Sequence, residues 1–189
     1  MRTLLITLAV IACISIPGCG KGRQAKTAPV SDPPVQMAYD IVELDSFTVM
    51  GIQIRITPAE ENNEKYAAIW NEFEPYIDQI RPISTGRRCF GVDFPTDKKR
   101  VFDYLAGMAV QSGATPLDDK LIVRKVPAAR YAVFKCPYQD IGRTYQEIFK
   151  NWLPNSRYEI DKGTCSFEAY PMRGRETRPV AIHIPIKNK

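Results

Sequence analysis

Ala132-Val-Phe-Lys-Cys-Pro-Tyr138, then Thr144-Tyr-Gln-Glu-Ile-Phe-Lys-Asn-Trp-Leu-Pro154, then Tyr158-Glu159 and Ser166-Phe-Glu-Ala-Tyr170 read in order as strand, turn, amphipathic helix and returning strand. In the helix, Ile141, Tyr145, Ile148, Phe149, Trp152 and Leu153 fall on one apolar stripe, which Pro154 stops. In the strand, Glu168 alternates with Phe167 and Ala169 and therefore shares a face with Tyr170. A lone carboxylate among aromatics is costly to bury unless a counter-charge or a proton arrives, so Glu168 points to a cationic ligand or to proton chemistry. An exposed strand carboxylate, or a partner for one of the many arginines, is the plainer alternative.

Upstream, the same order recurs. Ile52, Ile54 and Ile56 alternate with Gln53 and Arg55, the pattern of a strand with one buried face. Thr57-Pro58-Ala59-Glu60 fits a capping box and predicts a helix starting there. Tyr66, Ile69, Trp70, Phe73, Ile77 and Ile80 share one helical face, which Pro75 should kink or end early. Cys89–Phe94 and Val101–Val110 are strand-like. Leu121 to Pro137 reads as a strand pair interrupted near Pro127, and Cys165–Tyr170 and Val180–Ile186 as closing strands. The fold class is therefore α+β: two tandem β-β-α-β-β units about a pseudo-twofold axis, an antiparallel sheet with two main helices and a cleft between helices and sheet.

The first residues differ in kind. Arg2, the apolar run from Leu4 to Ile16, and Ile16-Pro17-Gly18-Cys19 resemble a bacterial lipoprotein signal, residues 1–18, with Cys19 as the lipidated residue. The run is short against the roughly 20 residues of a bilayer span. Pro17 is an imperfect lipobox residue, Cys13 is a weaker competing site, and Gly20 favours outer-membrane sorting where such a membrane exists. Residues 19–37, with Pro29, Pro33 and Pro34 and no apolar period, read as a disordered tether holding a domain of residues 38–189 roughly 20 to 25 Å from the membrane. The expected location is therefore the periplasmic face of a membrane.

With 189 residues and 44% hydrophobic content the chain can bury one full core. The net charge of +5 is dispersed, and no helix-turn-helix, zinc-finger or RNP-like spacing accompanies it, so no nucleic-acid partner is expected. Beyond the signal and Cys19, the cysteines are Cys89, Cys136 and Cys165, read as small buried hydrophobes or as one disulfide plus a thiol. Their spacing matches no metal site, and no glycine-rich phosphate loop is present, so neither metal nor cofactor is expected. The single histidine, His183, lies opposite the isoleucines of its strand and reads as an ordinary surface or edge residue.

Phe102-Asp-Tyr-Leu-Ala-Gly107, Pro127-Ala-Ala-Arg-Tyr-Ala-Val-Phe134, Pro137-Tyr138, Trp152-Leu-Pro154, Tyr158-Glu159 and Phe167-Glu-Ala-Tyr170, in this order and spacing, resemble the GyrI-like, AraC-type effector-binding domain over about residues 38 to 187. The resemblance implies a duplicated module, of a superfamily related to the haem-binding SOUL proteins, whose central pocket takes small, often lipophilic and cationic molecules. A strand glutamate faces the ligand, and Glu168 is the matching residue. Tyr170, Tyr138 and Trp152 are candidate walls from the second half, and Tyr104, Phe94 and Trp70 from the first, with core packing as the alternative for each. The family usually has glycine where Cys136 and Arg157 stand, so the turns at the pocket edge should differ. Three readings follow: a membrane-tethered module binding lipophilic cations, a hydrolase of strained or electrophilic molecules using Glu168 and Tyr138, as some relatives imply, or an interaction protein with a degenerate pocket. The oligomeric state is open.

Overall fold

The protein is described by a computed structural model covering residues 37–59, 63–172 and 178–189. The signal, Cys19 and nearly all of the tether lie outside the described residues. Met37, assigned to the tether's end, packs half-buried against the domain.

The strands are β1 (Asp40–Leu44), β2 (Phe47–Ile56), β3 (Ser84–Pro95), β4 (Phe102–Val110), β5 (Ile122–Val126), β6 (Ala129–Cys136), β7 (Tyr158–Ile160), β8 (Ser166–Pro171) and β9 (Val180–Asn188). Between β2 and β3 lie α1 (Asn63–Phe73) and a short α2 (Ile77–Ile80); after β6 come α3 (Ile141–Glu147) and α4 (Leu153–Asn155), joined by a wide π-turn at Ile148–Trp152.

Every strand pairing is antiparallel, in the order β1-β6-β9-β8-β3-β4-β2-β5, with β7 adding to β9. Read from the middle outward, β8-β9-β6-β1 on one side answers β3-β4-β2-β5 on the other, so the pseudo-twofold runs between β3 and β8. The expected duplication is thus present, with one addition: the leading strands are exchanged. β1 opens the first unit but pairs with β6 of the second, and β5 opens the second but pairs with β2 of the first.

One sheet face carries the helices. Met50, Met108, Tyr104 and Tyr170 pack there against Ile69 and Phe73 of α1. Phe134, Ile182, Ile184 and Ile186 pack against Ile148 at the start of the π-turn. The other face gathers Val92, Leu105, Tyr131 and Phe167, and among the described residues no helix packs above them. Phe47 on β2 meets Phe167 on β8 with ring centroids 5.5 Å apart, although three strand spacings of roughly 4.8 Å separate these strands. The sheet therefore curls, and this second face is concave.

The expected helix start at Thr57–Glu60 lies partly outside the described residues. Pro58 and Ala59 form a turn, Glu60 lies outside the described residues, and α1 begins at Asn63. Pro75 ends α1 as expected, opening a 3₁₀ turn at Glu74–Tyr76. Pro154 sits inside the last helical turn, and the chain becomes extended at Ser156.

Cys89, Cys136 and Cys165 are all buried thiols, and none forms a disulfide. Burial pushes the Cys165 thiol up to about 12, which makes it inert at neutral pH. Among the described residues no helix is long and apolar enough to cross a membrane, and no His/Cys/Asp/Glu group could hold a metal ion.

Candidate functional site: a buried carboxyl at the pseudo-twofold

The joint between the two units places Gly91 of β3 opposite Glu168 of β8. Both face the helices. An added Cβ at Gly91 would lie 2.2 Å from Tyr104 Oη and 2.8 Å from Glu168 Oε2, so the missing side chain is what lets a phenol and a carboxyl converge over this strand. Above them, α1 contributes Trp70 and Tyr66, and α3 contributes Tyr145.

These groups are mutually held. Trp70 Nε1–H donates to Tyr104 Oη at 3.0 Å, and the Trp70 ring meets Tyr170 edge-on at 5.0 Å. Tyr66 meets Tyr104 edge-on at 4.9 Å. Tyr145 donates its hydroxyl to Glu168 Oε1. Tyr138, 45% exposed, leans on Tyr170 at 6.2 Å and forms the outer margin of the group.

Glu168 is 7% exposed, and its Oε2 is buried with no hydrogen-bond partner among the described residues. Loss of hydration pushes its carboxyl up to about 8, helped by the negative charge of Asp93 and opposed by the Tyr145 hydrogen bond. Burial, with Glu168 as the next cause, also holds the phenols of Tyr104, Tyr145 and Tyr170 well above their ordinary range. At neutral pH the site is therefore a protonated carboxyl in a cup of neutral aromatics, and it turns anionic when something compensates the charge.

Of the residues singled out from sequence, Glu168, Tyr170, Tyr104, Trp70 and Tyr138 come together. Two do not. Phe94 lies on the concave face, where the Arg124 guanidinium sits 3.8 Å over its ring, because it is one residue out of step with Gly91 and Asp93 on β3. Trp152 packs in a separate cluster between Tyr39 and Phe134, each at 4.9 Å, so its alternative reading as core packing holds. From sequence, Tyr145 is only a member of an apolar stripe. A hydroxyl on the stripe of a helix that must cover Glu168 was the signal available.

His183 does lie opposite the isoleucines, but on β9, an interior strand. It stacks on Phe167 at 4.1 Å and donates Nδ1–H to the Ala181 carbonyl at 3.0 Å. Burial pushes its imidazole down to about 4, so it is neither an edge nor an ordinary surface histidine.

A duplicated antiparallel sheet, two helices and an acidic group between them define an effector-binding fold. Residues 40–186 match the Cass2 family, described as an integron-associated effector binding protein, and the chain belongs to that family. It is similar to an integron cassette protein from Vibrio cholerae, at 20% identity over 79% of this chain and 95% of the other, with TM-score 0.60. A protein solved bound to tetraphenylphosphonium matches at 18% identity over 80% and 94%, with TM-score 0.65. A Staphylococcus aureus protein named for bacterial transcription regulation, without an assigned role, matches at 18% over 80% and 99%, with TM-score 0.63. No match was found among curated proteins.

Proposed function

We propose that this chain is a small-molecule binding protein that takes a lipophilic cation against Glu168, and that lipid on Cys19 tethers it to the membrane on the exported side. The observation that carries the binding reading is the buried Oε2 inside an aromatic cup, without a partner among the described residues. A cation supplies the charge that this oxygen lacks, and aromatic faces add about 0.5 to 2 kcal/mol each through cation–π attraction. A similar fold holding tetraphenylphosphonium supports the choice of ligand class. The lipid anchor rests on the Ile16-Pro17-Gly18-Cys19 sequence alone.

Binding must ionise Glu168. Because its carboxyl holds a proton up to about 8, affinity should rise about tenfold per pH unit below that value and level off above it. Calorimetric titration of the wild type with tetraphenylphosphonium, beside Glu168→Gln and beside neutral triphenylphosphine oxide, tests this. Proton release together with loss of binding in the variant is the expected result. Equal binding of the cation by both proteins, or no pH dependence, would remove the counter-ion role. A carboxyl near neutrality beside a tyrosine also suits proton transfer, so turnover of an uncharged electrophile that Glu168→Gln abolishes would favour the hydrolase reading.

A further inference from the structure

The concave face carries a cavity of about 550 Å³, within the range of small-molecule sites. Glu168 does not line it. Its floor is apolar, with Phe47, Phe90, Phe167 and Ala169, and Val42 and Val133 close its sides. Its mouth is basic: Arg87 and Arg88 project from β3, and both also line an adjoining hollow of about 210 Å³ that adds Arg178.

The balance of charge at this mouth is uneven. Lys135 is neutralised by Asp40, with Nζ–Oδ2 at 2.9 Å. Among the described residues, Arg87 and Arg88 have no ion-pair or hydrogen-bond partner. The positive charge of Arg88 reaches inward: after burial, it is one of the influences that disfavour protonation of His183 in the cavity wall. A lipophilic cation would meet repulsion here. An apolar body with an anionic head would place its body against Phe47 and Phe90 and its head between two guanidiniums, each able to grip a carboxylate with two parallel N–H donors.

We infer that the concave face is a second binding site, independent of the Glu168 site, for an amphiphilic monoanion of the long-chain carboxylate class. The two faces of one sheet then take ligands of opposite charge.

The test uses the full chain and 11-(dansylamino)undecanoic acid as the fluorescent probe, with its methyl ester as the uncharged control. Enhanced, blue-shifted emission should report saturable binding of the acid. The ester should bind roughly tenfold or more weakly, as should the acid to Arg87→Glu/Arg88→Glu, for loss of a charge-assisted contact. Both arginines are exposed, so the double variant should stay folded, which circular dichroism confirms. Glu168→Gln should leave the acid's affinity unchanged. No binding to the wild type, equal binding of ester and acid, or full affinity in the double variant would overturn the proposal. So would loss of binding in Glu168→Gln, which would place the probe on the helix-covered face.

Discussion

Glu168 and Phe167 are adjacent on β8, yet they belong to opposite electrostatic environments. Glu168 lies under the helices, where burial keeps a proton on its carboxyl up to about 8. Phe167 faces the concave side and stacks on His183, where burial strips the proton from an imidazole down to about 4. Both faces select the uncharged form of their titratable group, and they do so with opposite response to pH. A strand buried on both sides excludes charge from both, whichever its sign.

The signs can be worked out separately. Glu168 holds its proton in the folded state up to about 8, whereas an unfolded glutamate loses it near 4.5, so stability falls as pH rises through that window. His183 stays neutral in the folded state down to about 4, whereas an unfolded histidine gains a proton near 6.5, so stability falls as pH drops through that window. In the overlap the two slopes offset each other, and the protein should be most stable in mildly acidic solution.

The largest effect should come from Glu168→Gln. Urea unfolding across pH 4.5 to 8 should show the wild type losing up to about 1.4 kcal/mol per pH unit from this group, and the variant should lack that slope. Parallel curves for the two proteins would mean that the carboxyl is not buried as described. A smaller effect over a narrower window belongs to His183. As the sole histidine, its imidazole NMR signal should titrate alone, with a midpoint near 4, and His183→Phe should flatten the loss of stability on the acid side. A midpoint near 6.5 would erase the contrast between the faces. The smallest is Tyr145→Phe. Without the hydroxyl that favours the ionised carboxyl, the Glu168 carboxyl should titrate still higher, and tetraphenylphosphonium should bind roughly fivefold more weakly at pH 7, about 1 kcal/mol. Unchanged calorimetric affinity would take Tyr145 out of the site.

How much of this was legible in the sequence depended on the range of the signal. The strand and helix periods are local, and they located β2, the α1 stripe, β8 and β9 and put Glu168 on one face with Tyr170. Correspondence between the halves points Phe94 to the pocket, whereas its position in the alternation of β3 puts it on the far face. Tyr145 was hidden because a tyrosine on an apolar stripe looks the same whether its hydroxyl meets solvent or a carboxyl. The concave cavity was not foreseen at all: alternation reports that a face is buried, not that curling leaves a hollow over it. The exchange of β1 and β5 was equally invisible, because no local pattern encodes which distant strand becomes a neighbour.

The place of β9 bears on how the chain is made. It is the last of the described strands in sequence order, yet it inserts between β6 and β8 rather than at an edge. Until Val180–Asn188 is available, β6 and β8 have a gap between them, and the exchanged strands keep either unit from closing alone. The gap between β6 and β8 can therefore close only after β9 is synthesised, and such long-range pairing is slow to form. Until then the apolar strands on both sides of the gap are bare, and the nascent protein has a period of vulnerability that a simple string of two self-contained modules would avoid.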